Sequence, residues 1–329
     1  MLYAGDVLSR LEGGLRTALP AWGVAADASV RLLTISENAT FLVEEPSGAK
    51  RVFRVHRPGY HSKVQIESEL SWIAALRAEG VIDTPAPVAA LDGTLLQAFR
   101  DGNEERFAAC FEYIPGHAPD ADADLARWFR VLGAITAKMH AHAHRFSSPD
   151  WFERKHWDWE TTIGPKAWWG DWRLAGQLDA EGHAVIAAAA ERLKEMTDAF
   201  GQGPDRFGLV HCDMRAANLL VSGERLFVID FDDCGFSWFG YDFAASVSFI
   251  EDDPALPALR QAWVEGYRSV APLAPEVEAM LPAFVMLRRI QLTAWLATHS
   301  ETPTAAALPD YANGTVALAR AFLEHEGKR

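Results

Sequence analysis

Two neighbouring segments, residues 209–221 and 226–233, constrain the fold and chemistry of this chain most strongly. Each contains an apolar run typical of a β-strand, and the Ser-Gly-Glu turn between the runs predicts a hairpin. Four polar residues precede the strand of the first segment: His211, Asp213, Arg215 and Asn218. The second segment ends in an Asp-Phe-Asp-Asp run that begins at Asp230. Because a hairpin brings the outer ends of its strands together, we expect Asp213 and Asn218 to lie near Asp230.

The residue types in these two segments are those that phosphoryl transfer requires. That reaction uses oxygen ligands for Mg²⁺ and one carboxylate that orients and deprotonates the attacking hydroxyl. We predict that Asn218 and Asp230 bind Mg²⁺ and that Asp213 faces the acceptor. The alternative is that both fragments are ordinary surface turns, but their occurrence together, with strands between them, argues against it.

The run HCDMRAAN followed by IDFDD resembles the catalytic and metal-binding segments of the aminoglycoside phosphotransferase family, which includes choline kinases and homoserine kinases. The resemblance implies an α+β, two-lobed protein-kinase-like fold, with a small antiparallel sheet in the N-terminal lobe and a mostly helical C-terminal lobe. It places the nucleotide-binding lobe at residues 1–113, the catalytic and acceptor-binding lobe at 114–329, and the hinge at about 111–116. It also implies Mg²⁺ as cofactor and ATP as phosphate donor, with GTP as an open alternative.

The N-terminal part of the chain has the pattern of strands and helices that such a small lobe needs. Apolar residues at spacings of three and four predict amphipathic helices at 6–19 and 65–76. Short β-type runs separated by turns predict an antiparallel sheet that begins as a three-stranded meander. The predicted strands are residues 30–35, 40–43, 51–56, 88–91, 94–99 and 106–113.

The resemblance assigns phosphate contacts to two residues of this lobe and a partner to one of them. Asn38 lies in a short polar loop that takes the place of the glycine-rich loop of protein kinases, and an ordinary turn is the alternative. Arg54 stands where the family usually has a lysine, so its planar guanidinium departs from the family pattern. Glu69 stands where the family has the partner of that cation, whereas Glu67 points to another side of the helix. The chain has no GxxxxGK[ST] motif, which disfavours a P-loop enzyme.

The run Phe-Glu-Tyr-Ile-Pro-Gly at 111–116 resembles the interlobe hinge of the family. The resemblance implies that the backbone of Glu112 and Ile114 binds the adenine edge and that Phe111 packs nearby. Without the resemblance, the same run is a strand that ends in a turn.

The second half of the chain is dominated by helical periodicity. Three histidines alternate at the end of the first helix, His140, His142 and His144, and we expect an exposed cationic helix end rather than a metal site. Arg288 and Arg289 are expected to be solvated or ion-paired. The predicted helices are residues 124–142, 184–200, 256–270, 275–299 and 310–326.

The resemblance also suggests roles for residues around the catalytic run. Arg215 resembles the basic residue that steadies the γ-phosphate in kinases, and Asp242 resembles the family's buttress of the catalytic loop. We expect His211 to support the loop backbone. For Asp232, contact with a second Mg²⁺ or with the acceptor is one alternative and a solvated turn is the other.

Residues 151–172 contain six of the twelve tryptophans, interleaved with carboxylates. In the family this insert flanks the acceptor site, so indole faces could hold a cationic acceptor by cation–π contact. The alternative, which we favour for most of these residues, is a satellite core that fixes the insert on the large lobe.

Composition and hydropathy argue against several classes of protein. A net charge of -14 and a pI near 5.2 argue against nucleic-acid binding. Three cysteines without a CxxC pair leave an odd thiol, which disfavours a disulfide framework and predicts a cytoplasmic protein. We find no signal-peptide pattern and no apolar run of the roughly 18–20 residues that a membrane span needs.

The sequence therefore predicts a kinase that transfers the γ-phosphate of a nucleotide to a hydroxyl of a small molecule, and amine-bearing acceptors are among those expected. One alternative is a Ser/Thr protein kinase that resembles the bacterial stress-response type. Another is a nucleotide-binding pseudokinase that acts as an interaction module, which the intact Asp213, Asn218 and Asp230 disfavour. The acceptor and the oligomeric state are left open.

Overall fold

The computed structural model describes residues 5–25, 27–35, 38–119 and 124–327. These residues form two compact units that differ in secondary structure. The first comprises Met1–His117, Ser147–Arg154 and Ser222–Asp232, and the second comprises Ala118–Phe146, Lys155–Val221 and Asp233–Arg329. The predicted lobe boundary at residue 113 stays a prediction.

The first unit is built on a five-stranded antiparallel sheet with the order β1-β2-β3-β5-β4. The first three strands follow one another in space as in the chain, which confirms the predicted meander. The strands are β1 (Ser29–Ile35), β2 (Ala39–Glu44), β3 (Lys50–Val55), β4 (Leu96–Asp101) and β5 (Glu104–Glu112).

Strand β3 places an arginine on the opposite face from its core residues. Phe53 and Val55 are buried in the core of this unit. Because successive side chains of a strand point to opposite faces, Arg54 between them points away from that core. The arginine is nevertheless 5% exposed, so it needs a charged partner on its own face.

Two helices complete the first unit: α1 (Gly5–Ala18) and α2 (Lys63–Ala78). Helix α1 packs against β4, where a Cβ atom on Gly14 would lie only 2.3 Å from the Phe99 ring. Helix α2 begins with a capping box, in which Ser62 accepts from the Gln65 N–H and the Gln65 side chain accepts from the Ser62 N–H. Both predicted helices are therefore confirmed.

The predicted strand at residues 88–91 is wrong. The N–H groups of this segment donate to three different parts of the chain: Val88 to Cys110, Ala90 to Thr94, and Leu91 to Ala21. A strand requires successive bonds to one partner, so this dispersal leaves an irregular segment.

The second unit is mostly helical, and its longer predicted helices are confirmed within a few residues. Helices α3 and α7 approach each other closely, since a Cβ on Gly133 would lie 2.0 Å from the Trp263 carbonyl oxygen. Its helices are α3 (Leu125–Ala143), α4 (Trp159–Thr162), α5 (Ala180–Phe200), α6 (Tyr241–Ser246), α7 (Leu256–Arg268), α8 (Pro275–Thr298), α9 (Pro303–Ala307) and α10 (Tyr311–Glu326).

Short strands flank the two motif segments. In the second unit, β6 (Phe207–Val210) pairs antiparallel with β9 (Gly235–Trp238), so the run that contains Asp213 starts from a fixed strand. Strands β7 (Leu219–Ser222) and β8 (Arg225–Val228) form where the arms of the hairpin are predicted. Among the described residues, no helix is long and apolar enough to cross a membrane.

Candidate active site

Arg54 is the centre of a buried charged group in the first unit. Its Nη2 lies 2.7 and 2.6 Å from the two carboxylate oxygens of Glu69, and its Nη1 lies 3.2 Å from Oδ1 of Asp230. Burial alone would lower the pKa of Arg54, but the charges of Glu69, Asp232 and Asp230 raise it above its ordinary value. The guanidinium is therefore a permanent cation beside the predicted metal ligand Asp230.

The geometry of helix α2 places Glu69, and not Glu67, beside this cation. The Glu69 side chain is fully buried, whereas the Glu67 side chain is 38% exposed and pairs with Lys63 one turn away. Two residues correspond to about 200° around a helix, so only one of the two can face β3. The predicted pairing of Arg54 with Glu69 is present in the structure.

The segment that follows β8 is held against α2. Asp230 has φ +61°, a left-handed conformation that a non-glycine residue seldom adopts. Phe231 packs edge-on against Trp72 of α2, with 5.5 Å between ring centroids. The Asp230 side chain remains 45% exposed, so its carboxylate is accessible to a ligand.

Asp232, whose role the sequence left open, is buried in the first unit. Its carboxylate oxygens lie 3.6 Å from His56 Nδ1 and 3.6 Å from His61 Nε2, and its backbone oxygen accepts from Arg154. Burial opposes ionisation, but His61, His56 and Arg54 hold the pKa of Asp232 well below its ordinary value. Burial, followed by the charge of Arg54, lowers the pKa of His56 to about 4. Sequence reasoning missed both histidines.

The predicted hinge residues lie at the end of β5. The Glu112 N–H donates to the Ala86 carbonyl at 3.0 Å, and the Glu112 carboxylate accepts from Arg77 at 3.1 Å. The Phe111 ring lies 5.2 Å from the Arg54 guanidinium carbon. Because the Glu112 N–H is already engaged by Ala86, Glu112 could contact adenine only through its backbone carbonyl. The backbone N–H of Ile114 would then have to be the donor to adenine.

Asn38 has a contact of its own within the first unit. Its side-chain oxygen accepts from the Arg57 N–H at 3.0 Å, and the residue is 8% exposed. The preceding loop residues 36–37 lie outside the described residues. A phosphate contact by this loop stays a prediction.

In the second unit, both carboxylate oxygens of Asp213 are held. Oδ1 lies 2.5 Å from Arg288 Nη2, and Oδ2 accepts from Asn218 Nδ2 at 2.7 Å and from Arg215 Nε at 3.4 Å. Asn218 Nδ2 also donates to the Asp213 carbonyl at 2.9 Å. Because its amide nitrogen is used in this way, the Asn218 side-chain oxygen is the atom suited to a metal ion.

The backbone before Asp213 is fixed by Asp242, as the predicted buttress requires. The Asp242 carboxylate accepts from the N–H groups of His211 and Cys212, at 3.3 and 2.8 Å. Cys212 has φ +67°, so these bonds hold a strained turn. The His211 ring accepts from the Asp213 N–H at 3.2 Å and thus supports the loop, as expected.

The expectation of an exposed cationic end for α3 is wrong for two of its three histidines. His140 is 1% exposed and His142 is fully buried, because α3 packs against both α7 and β6. His140 Nε2 lies 3.0 Å from the Asp242 carboxylate, and its Nδ1 lies 3.1 Å from the Tyr267 hydroxyl. In the described ranges, no cluster of three or more His, Cys, Asp or Glu side chains has the arrangement of a metal site.

Arg288 is a site residue that sequence reasoning missed. The sequence left solvated and ion-paired alternatives open, and both Arg288 and Arg289 prove to be buried and paired, at 2% exposure each. Arg289 donates to Glu251 at 2.8 Å, whereas Arg288 donates to Asp213. Two adjacent arginines inside a mostly apolar helix were the available signal, since buried charges need partners.

The tryptophan-rich insert contacts cations of the chain itself. In the second unit, five of its indole rings each have a basic side chain within 6 Å of a ring centroid. Lys155 lies 5.9 and 5.2 Å from the rings of Trp157 and Trp168, and the other pairs are Lys194–Trp159 at 5.5 Å, Arg173–Trp172 at 4.4 Å and Arg288–Trp169 at 4.8 Å. Trp157, Trp169 and Trp172 are also buried. These contacts favour the packing role for most of the insert.

Comparison with known proteins shows the family and the fold of the chain. Residues 30–276 match the phosphotransferase enzyme family. A solved microcompartment-associated aminopropanol kinase is 42% identical, with a TM-score of 0.88 over 96% of this chain and 98% of the other. Amicoumacin kinase of Bacillus subtilis (strain 168) is 25% identical, covering 85% of this chain and 82% of that protein. Amicoumacin kinase hAmiN, solved with AMP-PNP, Ca²⁺ and Ami, is 22% identical, with a TM-score of 0.77 over 94% and 95% of the two chains. The chain therefore belongs to the phosphotransferase enzyme family, has the protein-kinase-like fold and is a kinase.

Proposed function

We propose that this kinase transfers the γ-phosphate of ATP to the hydroxyl of a small amino alcohol. The observation that carries the proposal is the Asp213 carboxylate, which is held at both oxygens in a loop of the kind that orients an acceptor hydroxyl. The 42% identity to an aminopropanol kinase supports this acceptor class. A net charge of -14 favours approach of a cationic acceptor.

In this proposal, Asp213 accepts the hydroxyl proton as the acceptor oxygen attacks, and Arg215 steadies the transferred phosphate. Arg54, braced by Glu69, binds the α- and β-phosphates, because a guanidinium offers a planar donor fork for phosphate oxygens. Proton transfer to a positioned carboxylate contributes about 10²–10⁴-fold to the rate in enzymes.

The remaining nucleotide contacts are assigned to the first unit and the hinge. We assign the adenine edge to the Glu112 carbonyl and the Ile114 N–H, with Phe111 packed nearby, and a phosphate contact to the loop of Asn38. These are backbone or short polar contacts. The lobe assignment of 1–113 and 114–329 belongs to the same proposal.

The proposed metal ligands fit a hard cation. Asn218 has its amide nitrogen committed to Asp213, which leaves an amide oxygen, and Asp230 offers a half-exposed carboxylate. Mg²⁺ prefers such oxygen ligands. When bound with the nucleotide, Mg²⁺ would neutralise charge on the phosphate oxygens.

The test is a coupled assay of ADP release with purified protein and Mg-ATP over a panel of acceptors. The panel contains 1-amino-2-propanol, ethanolamine, choline, homoserine, an aminoglycoside and casein, with GTP replacing ATP in a parallel series. We expect turnover with one or more of the small amino alcohols and none with casein. Labelling of casein, or turnover of the aminoglycoside alone, would contradict the proposed acceptor class.

The Asp213→Asn variant tests the mechanism. We expect kcat to fall by about 10²–10⁴-fold while the affinity for ATP stays within a few-fold of the wild type. Asp198→Asn is a matched control, because Asp198 is an exposed aspartate of the same unit whose carboxylate pairs with Lys194. Comparable turnover by Asp213→Asn and the control would remove Asp213 from the mechanism.

A further inference from the structure

We propose that Arg288 of helix α8 is a positioning residue for Asp213 and that the tryptophan-rich insert acts on catalysis by holding Arg288. This inference rests on the proposed function, in which Asp213 orients the acceptor hydroxyl. The two residues are 75 positions apart, so no local sequence pattern indicates their contact.

The first step in the argument is the orientation of the Asp213 carboxylate. The terminal torsion of an aspartate is broad, so a carboxylate held at one oxygen can rotate. Arg288 holds Oδ1 at 2.5 Å, while Asn218 holds Oδ2 at 2.7 Å. With both oxygens anchored, the plane of the carboxylate is fixed before any acceptor arrives.

The second step concerns the backbone next to Asp213. Arg288 Nη1 lies 3.4 Å from the carbonyl oxygen of Cys212, the residue with φ +67°. One guanidinium therefore contacts the strained turn and the side chain that follows it. The turn is thus stabilised on two sides. Asp242 accepts from its backbone N–H groups, and Arg288 contacts its carbonyl oxygen.

The third step is how Arg288 itself is held. Its Nε lies 3.0 Å from the Ser248 hydroxyl, and its guanidinium carbon lies 4.8 Å from the Trp169 ring and 5.9 Å from the Tyr241 ring. Arginine is suited to such a place, because it combines directional donors with a planar face that packs on aromatic rings. With 2% of its surface exposed, the side chain has little space for another rotamer.

The contact with Trp169 links the insert to the catalytic loop. Trp169 is buried, packs against Trp157 at 5.5 Å between ring centroids, and accepts a bond from Thr298 of α8 at its carbonyl. A cation already lies over its ring, so this indole serves the protein's own guanidinium. The insert thus affects the acceptor reaction through the orientation of Asp213.

The neighbouring Arg289 provides an internal control. It is equally buried on the same helix, but its donors go to Glu251, Thr315 and the Tyr311 carbonyl. Loss of either arginine should destabilise the fold, whereas only loss of Arg288 should alter the geometry of Asp213.

The experiment compares Arg288→Met, Arg288→Lys and Arg289→Met in steady-state assays with an amino alcohol that the wild type phosphorylates. For Arg288→Met we expect kcat to fall by roughly a hundredfold, the cost of a misplaced catalytic group, with KM for ATP within threefold of the wild type. Arg288→Lys should recover at least tenfold of that loss, since it retains a cation for Oδ1. Arg289→Met should keep kcat within threefold, measured on the folded fraction.

A second variant keeps the inference testable if Arg288→Met folds poorly. In Arg288→Ala, added guanidinium ion at millimolar concentration should raise kcat in a saturable way, whereas Arg289→Ala should not respond. A purely structural role would give equal losses for the two arginines and no such rescue. Wild-type kcat in folded Arg288→Met, or equal effects of the two methionine variants, would overturn the proposal.

Failure of the proposed function can be told apart from failure of this inference. If the wild type phosphorylates no amino alcohol, the proposed function fails. The contact is then read from a double-mutant cycle of unfolding free energies between Asp213→Asn and Arg288→Met. Additive effects in that cycle would overturn the positioning contact, and strong coupling would support it.

Discussion

Arg54 and Glu69 form a buried ion pair in which one guanidinium nitrogen lies within 2.7 Å of both carboxylate oxygens. The side chains are 6% and 0% exposed, so neither charge has water as an alternative partner. Removing one member of such a pair leaves the other charge buried and uncompensated. The pair therefore couples the integrity of the first unit to the cation that we assign to the phosphates.

Glu69→Gln should destabilise the protein and weaken nucleotide binding. We expect a loss of about 3–5 kcal/mol in the free energy of unfolding, the usual cost of breaking a buried pair. Glu67→Gln, on the same helix but paired with Lys63 at the surface, should change it by less than about 1 kcal/mol. Chemical denaturation and ATP titration measure the two effects, and equal results for both variants would contradict the assignment.

Arg54→Lys restores the residue type that the resemblance leads us to expect at this position. A single ammonium cannot reproduce the arrangement in which Nη2 serves Glu69 and Nη1 serves Asp230. We expect the KM for ATP to rise on the order of tenfold, as for loss of one charged hydrogen bond. Improved ATP binding by the lysine variant would show that the arginine fork has no role in phosphate binding.

Asp242→Asn should impair both stability and turnover. Its carboxylate accepts from two consecutive backbone N–H groups and from His140, and an amide has only one oxygen to offer them. Each buried donor left without an acceptor costs about 1–3 kcal/mol. Thermal unfolding and kcat should both fall, whereas the exposed Asp252→Asn should match the wild type. A loss of stability with unchanged kcat would separate the buttress from catalysis.

The stability of the protein should rise with pH between about 4 and 6.5 in part because of His56. Burial lowers the pKa of His56 to about 4, so in this range the unfolded chain binds the proton more readily than the folded one. The contribution is complete above the unfolded pKa and is lost as the pH falls through this window, by up to about 3 kcal/mol. His56→Gln should flatten the dependence, whereas His325→Gln at an exposed position should not. An unchanged slope in His56→Gln would contradict the assignment.

The three cysteines should resist alkylation in the native protein. All three are buried thiols outside any disulfide bond, and burial raises the pKa of Cys110 to about 12 and the pKa of Cys212 well above its ordinary value. Since the thiolate is the reactive form, we expect no rapid labelling by a thiol reagent before denaturation and three labelled thiols after it. Fast modification of Cys212 in the native state would show that its loop opens.

Local patterns were enough to predict part of the candidate site. The family resemblance indicated Glu69 and helical geometry then excluded Glu67, while the loop motif indicated Asp213 and Asn218, which are in direct contact. The expected approach of Asp213 and Asn218 to Asp230 stays a prediction. The roles of all these residues remain proposals.

Other features depend on partners that are distant in the sequence. The contact of Arg288 with Asp213 joins residues 75 positions apart, and that of His140 with Asp242 joins residues 102 apart. Local periodicity cannot predict whether a charged side chain on a helix will have a partner from a distant segment. The same reason explains the wrong strand at 88–91, whose hydrogen bonds are decided by three separate segments.

The adjacent residues Arg288 and Arg289 of α8 pair with different carboxylates, Asp213 and Glu251. This arrangement limits where insertions and deletions can occur in the sequence. One residue corresponds to about 100° of rotation around a helix, so inserting or deleting a single residue just before Arg288 would turn its guanidinium away from Asp213. Length variation among relatives should therefore be confined to the connections at the two ends of α8, while the register of the helix itself stays fixed.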